Sequence, residues 1–447
     1  MTYTLHTGDC RDVMATLPAE SVDAIVCDPP YGLSFMGKGW DYGVPGVDFW
    51  VEALRVLKPG GHLIAFGGTR TYHRLAVAIE DAGFEVRDCL MWLYGSGFPK
   101  SHDVSKAIDK QAGAEREVVG TWKPTGTAAV KIKGGGHANA GVRGEVEEIR
   151  QSINITAPNT DLAKEWHGWG TALKPAYEPA ILARKPLRGT VADNVAQWGV
   201  GGLNIDGCRV PSDDGFEKAW DKPVHTNIAN GGGAYGTGES SKRGTRAVDI
   251  SANKPTGGRW PANVILDEEA AAALDAQSGE RASGGQGRRR ESSGLFGLGG
   301  DSGLNVWHGG TGGASRFFYT AKASRSEREA GLDGVELKLG GSLDGGNDTR
   351  NGSDKPQLTM RANHHPTVKP IALMRYMIRL VAPRGAVVLD PFMGSGSTGC
   401  AAMVEGMQFI GIDITPEYVD IARRRLAWWS CSLDNTATME SHEEDEA

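Results

Sequence analysis

Two short stretches, one near each end of the chain, hold residues whose types and spacing could do chemistry. In CDPPYG, residues 27–32, an acid is followed by two prolines and a tyrosine, directly after the apolar positions Val22, Ala24, Ile25 and Val26. The prolines remove two backbone donors and fix two φ angles. What is left is a rigid corner, rich in hydrogen-bond acceptors and walled by an aromatic ring. In LDPFMGSGSTG, residues 389–399, Gly394, Gly396 and Gly399 are spaced G-x-G-x-x-G between an apolar run and a helical pattern. Such a turn brings a helix N-terminus to a ligand's phosphate or carboxylate, and Asp413, ending the next strand pattern, is placed for ribose hydroxyls. On spacing alone the turn suits any adenosine-containing cofactor, with NAD as the default, and it suits a purely structural tight turn as well. Pro391 and Phe392 separate Asp390 from the first glycine, and no second feature suggests hydride chemistry; both details lean away from NAD.

The elements that must position these residues alternate strand and helix patterns. YTLHTGD (3–9) reads as a strand, CRDVMATLP (10–18) as a short helix and VDAIVCDPPY (22–31) as a buried strand. A helical pattern over 47–60 stops at Pro-Gly, GHLIAFGG (61–68) is a strand, 71–83 a helix closed by glycine, and 84–95 another strand. The same rhythm returns near residue 363: a loop and helix over 364–385, a buried strand AVVLDPF, the glycine turn entering a helix, the strand QFIGIDI, and an amphipathic helix with Pro416 near its start. Strands with intervening helices imply a mostly parallel, doubly wound sheet. The economical reading is one sheet built from both ends of the chain, with a large insertion between.

That insertion holds most of the 63 glycines, in loop-like stretches between better patterned islands. The 447 residues suffice for two or three domains. No apolar run approaches the roughly 20 residues of a membrane span, and the N-terminus lacks a signal-peptide layout, so a cytoplasmic location is expected. The six cysteines are scattered, with no C-x-x-C pair, which points to a reducing compartment and to thiols that act as small apolar side chains. The net charge of −7 is concentrated in residues 1–99 and in the tail 434–447, which reads as disordered; the middle is slightly basic.

Taken with HPTVKP (365–370), the proline corner and the glycine turn resemble the amino-group DNA methyltransferases that use S-adenosyl-L-methionine. The order, DPPY early and glycine turn late, looks like the circularly permuted class often called beta. Family-like sequence covers most of 1–100, 172–188 and 363–430. The resemblance implies an α/β fold: a doubly wound, mostly parallel Rossmann-like methyltransferase sheet, circularly permuted, with a large glycine-rich insertion. It assigns catalysis to Asp28, Pro29, Pro30 and Tyr31. The exocyclic amino group of a base is a poor nucleophile because its lone pair is delocalised into the ring. The Asp28 carboxylate and the Pro29 carbonyl, accepting its two hydrogens, would pull the nitrogen towards tetrahedral geometry, while Tyr31 stacks on the extruded base. Direct attack on the sulfonium methyl needs no covalent enzyme intermediate.

For the cofactor, the resemblance implies Asp390, Phe392, Gly394 and Gly396 at the methionine and ribose region, Asp413 at the ribose and Asp9 at the adenine side. It places Thr367 and Lys369 near the methionine carboxylate. Asp9 reads equally well as a turn residue capping the helix after it. Glu178, at the entrance of YEPAIL (177–182), reads as a solvated strand-end charge, and Lys100 and Ser101 as phosphate contacts or plain loop. No metal site is implied.

The expected layout is a first methyltransferase part over 1–190 with a loop insertion about 110–170, a target-recognition insertion over 191–360, a cofactor half over 361–433 and the acidic tail. Within the insertion, SSKRGTR (240–246), GRRR (287–290) and SRFFYTAKASRSER (315–328) could touch DNA. Expected partners are double-stranded DNA and a candidate restriction endonuclease, and no membrane. Adenine N6 is the expected target, since relatives with an acid at the first motif position are mostly adenine enzymes and cytosine N4 enzymes mostly carry serine there. Cytosine N4, an RNA or protein N-methyltransferase and a non-catalytic DNA-binding protein are the competing readings.

Overall fold

The computed structural model describes residues 2–33, 43–95, 97, 101–122, 130–132, 146–148, 153–211, 224–228, 244–248, 258–283, 310–321, 325–340 and 359–443. Its main sheet has nine strands: β1 (Tyr3–Thr7), β2 (Val22–Cys27), β3 (Leu57–Phe66), β4 (Glu85–Leu93), β5 (Tyr177–Arg184), β6 (Val264–Asp267), β7 (Tyr319–Ala321), β8 (Val387–Asp390) and β9 (Gln408–Asp413). Their spatial order is β1-β9-β8-β2-β3-β5-β4-β6-β7. Every neighbouring pair is parallel except the two that β5 makes, with β3 and β4. This is an α/β, Rossmann-like sheet, and it is assembled from both ends of the chain: β8 lies against β2, with Val388 opposite Ala24 and Leu389 opposite Ile25.

Period-two alternation divides the apolar strands between two cores. Ala24, Val26, Ile64 and Phe66 face helices α4 (Ile371–Val381) and α5 (Ser397–Val404). Ile25, Cys27, Leu63 and Ala65 face α1 (Cys10–Thr16), α2 (Val47–Val56) and α3 (Tyr72–Asp81), where Met14, Trp50 and Leu75 are buried. Burial on both faces is why β2 reads as a continuous apolar run. Of the six cysteines, Cys10, Cys27, Cys208 and Cys400 are buried, Cys89 is half-buried and Cys431 is exposed.

Three features depart from the sequence expectation. The insertion supplies two strands of the sheet, β6 and β7, and Tyr319 of β7 stacks on Tyr376 of α4 at 4.2 Å between ring centroids; strands of four and three residues between glycine-rich loops carry almost no periodicity. The chain divides into two compact units, one of Met1–Ser96, Ala176–Lys338 and Arg361–Ala447, the other of Gly97–Pro175 and Leu339–Met360, rather than at 190 and 360. The final helix α6 (Pro416–Glu443) continues well into the stretch expected to lack structure.

The second unit has its own polar keystone. Asp109, wholly buried, accepts from the backbone N–H groups of Asn159 and Thr160 (3.0 Å each), from Thr160 Oγ1 (2.7 Å) and from Arg116 Nη1 (2.6 Å).

In the main sheet, Asp23 fixes where the two chain ends meet. Its Oδ2 accepts the backbone N–H of Val387 at 2.7 Å and its Oδ1 accepts Lys58 Nζ at 2.6 Å, with the residue only 7% exposed. Asp23→Ala leaves a donor unsatisfied at the entrance to β8, and chemical denaturation is expected to report a loss of about 2–3 kcal/mol.

Candidate functional site

Strands β2 and β8 run side by side, so the chain leaves both at the same edge of the sheet, where parallel α/β sheets hold their ligands. From β2 it enters Asp28-Pro29-Pro30-Tyr31; from β8 it enters the glycine turn. Between them lies a cavity lined by Asp28, Thr367, Lys369, Asp390, Phe392 and Gly394, together with His365, Met374, Met393, Ser395, Ser397 and Thr398. Six residues singled out from the sequence therefore meet around one space. Gly396, Asp413, Asp9, Pro29, Pro30 and Tyr31 are not in its lining.

Gly394 and Gly396 are required by geometry. Gly394 has φ +54°, and a Cβ there would sit 2.6 Å from His365 Nε2. Gly396 has φ +80° at the N-cap of α5, where a Cβ would lie 2.9 Å from Ala422 Cβ. Both positions combine the left-handed backbone with a close approach that only glycine tolerates. The turn is braced from behind by fully buried Arg425, whose Nη1 donates to the Ser395 carbonyl at 2.6 Å.

Two carboxylates anchor this half. Asp390, 2% exposed, accepts Thr398 Oγ1 at 2.5 Å and the Phe392 N–H at 3.0 Å. Burial nevertheless raises its pKa to about 7. Asp413 accepts the N–H groups of Gly394 at 2.9 Å and Thr415 at 2.7 Å, and burial raises its pKa as well. All four donors are neutral, and among the described residues neither carboxylate is paired with a cation. Burial favours the protonated form of both, and a cationic ligand beside them would favour the ionised form.

The proline corner is organised differently. Lys369, expected beside a cofactor carboxylate, instead directs its ammonium to Asp28 Oδ2 at 2.6 Å and Glu178 Oε2 at 3.1 Å, with Tyr31 Oη at 3.2 Å. Burial pulls the lysine pKa down, but the two carboxylates more than reverse this and hold it charged. The Tyr31 hydroxyl lies 2.8 Å from Asp28 Oδ1 and 2.9 Å from Glu178 Oε2. Burial, then the negative charge of Asp28 and Glu178, keeps this phenol protonated. Glu178 is thus not a solvated strand-end charge: its side chain is 18% exposed and belongs to the site.

The remaining expectations separate. Asp9 is the N-cap of α1, accepting the Arg11 N–H at 2.9 Å and pairing with the Arg11 guanidinium at 2.7 Å, which fits the capping reading. Phe392 packs against Phe49 and Trp50, with centroids 6.0 Å apart in each case. Of the basic stretches offered for DNA, GRRR (287–290) lies outside the described residues, as do Lys100 and residues 240–243. In 315–328, Ser315 is bonded to Asp275, Tyr319 is sheet core and Arg328 donates to the His365 carbonyl at 2.8 Å, so much of it serves structure. Ser101 Oγ accepts the N–H groups of Thr171 and Ala172.

His365 and Thr398 were not singled out from the sequence. His365 sits beside the expected Thr367, with Nδ1 2.6 Å from the Thr367 carbonyl, and burial lowers its pKa to about 4. The ring is therefore neutral, donates from Nδ1 and leaves Nε2, which lies against Gly394, as its acceptor.

Fold and site together define a Rossmann-like α/β protein with a ligand crevice at the carboxyl ends of its central strands. Residues 251–424 match the N6/N4 methyltransferase family, described as DNA methylase, and this marks that segment as kin to the DNA amino-methyltransferases. The match begins inside the insertion, in keeping with β6 and β7 belonging to the sheet. Among curated relatives, the type II methyltransferase M2.DpnII of Streptococcus pneumoniae is 44% identical over 79 residues, 18% of this chain and 30% of that protein. DNA adenine methyltransferase YhdJ of Escherichia coli (strain K12) is 48% identical over 63 residues, 14% of this chain and 21% of that one. The chain thus spans under a third of the length of these two relatives. Solved structures similar to it include the M1.HpyAVI–SAM complex (TM-score 0.35, 15% identity, 95% of this chain and 100% of that one) and the cytosine-N4-specific PvuII DNA methyltransferase (TM-score 0.38, 13% identity, 95% and 86%).

Asp390 makes stability depend on pH in a definite direction. Its folded pKa of about 7 lies above the ordinary 3.8, so the folded chain holds a proton that the unfolded chain has already released. This contribution is fully present at low pH and is lost as pH rises through 7. Between pH 6 and pH 8 the wild type should lose about 1 kcal/mol that Asp390→Asn does not. Melting curves of both proteins at the two pH values check this, and an equal loss in both contradicts it.

Proposed function

We propose that this chain transfers a methyl group from S-adenosyl-L-methionine to the exocyclic amino group of a base in double-stranded DNA, with adenine N6 as the target. The observation that carries the reading is the shared cavity: Asp28 of the proline corner and the cation-free carboxylate Asp390 of the glycine turn line the same space. The donor set fits this cofactor. A sulfonium or ammonium group would find Asp390 on the cavity wall with no cation beside it among the described residues, and Ser395, Ser397 and His365 offer polar contacts at a turn stripped of side chains at Gly394 and Gly396.

When bound, the cofactor supplies an electrophilic methyl group. Everything else falls to this chain's residues. Asp28 accepts a hydrogen of the target amino group and, with the Pro29 carbonyl, draws its lone pair out of the ring; the prolines hold that acceptor pair in place, as positioning at this scale requires. Lys369 donates to Asp28 Oδ2 and fixes the orientation of its carboxylate, and the Tyr31 ring is the stacking surface for a base that has left the duplex. The adenine enzyme among the relatives supports the choice of adenine.

Purified protein given cofactor labelled in the methyl group, with duplex DNA, RNA and protein pools, is expected to label duplex DNA. Mass spectrometry of the digested DNA should find N6-methyladenine; N4-methylcytosine overturns the base assignment, and label confined to RNA or protein overturns the substrate. Asp28→Ala is expected to lower transfer by at least about a thousandfold, a loss of roughly 4 kcal/mol in the barrier, with duplex binding retained in a gel-shift assay.

A further inference from the structure

Tyr31 and Glu178 pose a counting problem at the proline corner. The Lys369 ammonium has three N–H groups and three acceptors within reach, on Asp28, Glu178 and Tyr31. The Tyr31 hydroxyl has one hydrogen and two carboxylate oxygens at almost equal distance, 2.8 Å to Asp28 Oδ1 and 2.9 Å to Glu178 Oε2. A hydroxyl donates once, so its hydrogen has two seats. The heavy atoms around it are fixed. Thr71 Oγ1 donates to the Tyr31 carbonyl at 2.6 Å, and a Cβ on Gly68 would lie 3.2 Å from the Tyr31 ring. Glu178 lies on β5, the strand hydrogen-bonded between β3 and β4, and the Gly67 N–H donates to the adjacent Pro179 carbonyl at 2.9 Å. Choosing between the seats takes only rotation of the O–H bond.

One seat is the atom the substrate needs. With Lys369 on Oδ2 and Tyr31 on Oδ1, both oxygens of Asp28 are engaged before any amino group arrives. We propose that Glu178 is a positioning residue: it takes over the Tyr31 hydrogen bond as the target amino group reaches Asp28, and so releases Oδ1 to accept the amino hydrogen. No bond to carbon or nitrogen changes in this step; the hydroxyl hydrogen stays on Tyr31 and only its acceptor switches. The cluster of two carboxylates and one ammonium keeps a net charge of −1 throughout, which suits a nitrogen that becomes positive as it is methylated. This inference rests on the methyl-transfer reading above.

The test is a set of single-turnover methyl-transfer measurements on duplex DNA with the full chain. Glu178→Ala should slow transfer on the order of tenfold, the equivalent of one hydrogen bond of about 1.4 kcal/mol, with KM for DNA unchanged. Glu178→Gln, which keeps an oxygen acceptor, should recover part of the rate. In a Tyr31→Phe background, where no hydroxyl competes for Asp28, Glu178→Ala should cost less than about twofold. Equal losses from Glu178→Ala in both backgrounds overturn the proposal while leaving the reaction in place. A wild-type chain that methylates nothing overturns the reading it rests on, and the proposal with it. A readout without turnover is the ¹³Cζ resonance of Tyr31 on adding unmethylated duplex: it should shift in the wild type and stay put in Glu178→Ala, and an unmoved wild-type resonance counts against the switch.

Discussion

The site exists because two strands from opposite ends of the chain pair in parallel. The ladder between β2 and β8 is short, two residue pairs, yet it decides that the turn after Cys27 and the turn after Asp390 face one another across a single space. Asp23 supports it from the side by capping the first free donor of β8. Neither motif has a pocket on its own: the proline corner lacks a donor-holding partner and the glycine turn lacks a roof. Register matters as much as proximity, since a slip of one residue would turn the alternate side chains of β8 from one core to the other.

The two halves handle charge in opposite ways. At the proline corner the Lys369 ammonium pairs with both Asp28 and Glu178, which holds the two carboxylates as a fixed acceptor array. At the glycine turn Asp390 and Asp413 are stabilised only by neutral donors, so burial still raises their pKa values and the charge waits for a partner. A pocket with one self-sufficient wall and one needy wall discriminates between its ligands by charge before any detailed contact is made. That asymmetry follows from a single placement, the lysine of HPTVKP directed to the acid of DPPY rather than to the glycine turn.

Much of this was legible in the sequence, because the relevant signals are local. The apolar run ending in Asp28, the G-x-G-x-x-G turn with Asp390 before it and the helix after residue 370 each announce their own backbone, and the structure keeps all of them. Partners distant along the chain were not legible. Glu178 gives no sign in YEPAIL that its neighbours will be Lys369 and Tyr31, because an antiparallel strand inserted beside β3 has no signature beyond its apolar residues. Lys369 was assigned by its position in a motif, whereas its contacts are set by which strand end comes within reach of its side chain. The sheet strands β6 and β7 escaped notice for the reason that short strands usually do: they are held by the neighbours they join rather than by propensity.

The dependence of the sheet on both chain ends also has a consequence in time. During synthesis β2 emerges early, but its partner β8 lies about 360 residues further on, which at about 5–20 residues per second is a delay of very roughly 20–70 seconds. Throughout that interval the strand that carries Asp28 presents an apolar edge with no occupant, the kind of edge that recruits unrelated strands. The vulnerability of the nascent chain to misassembly is thus written into the order of its strands.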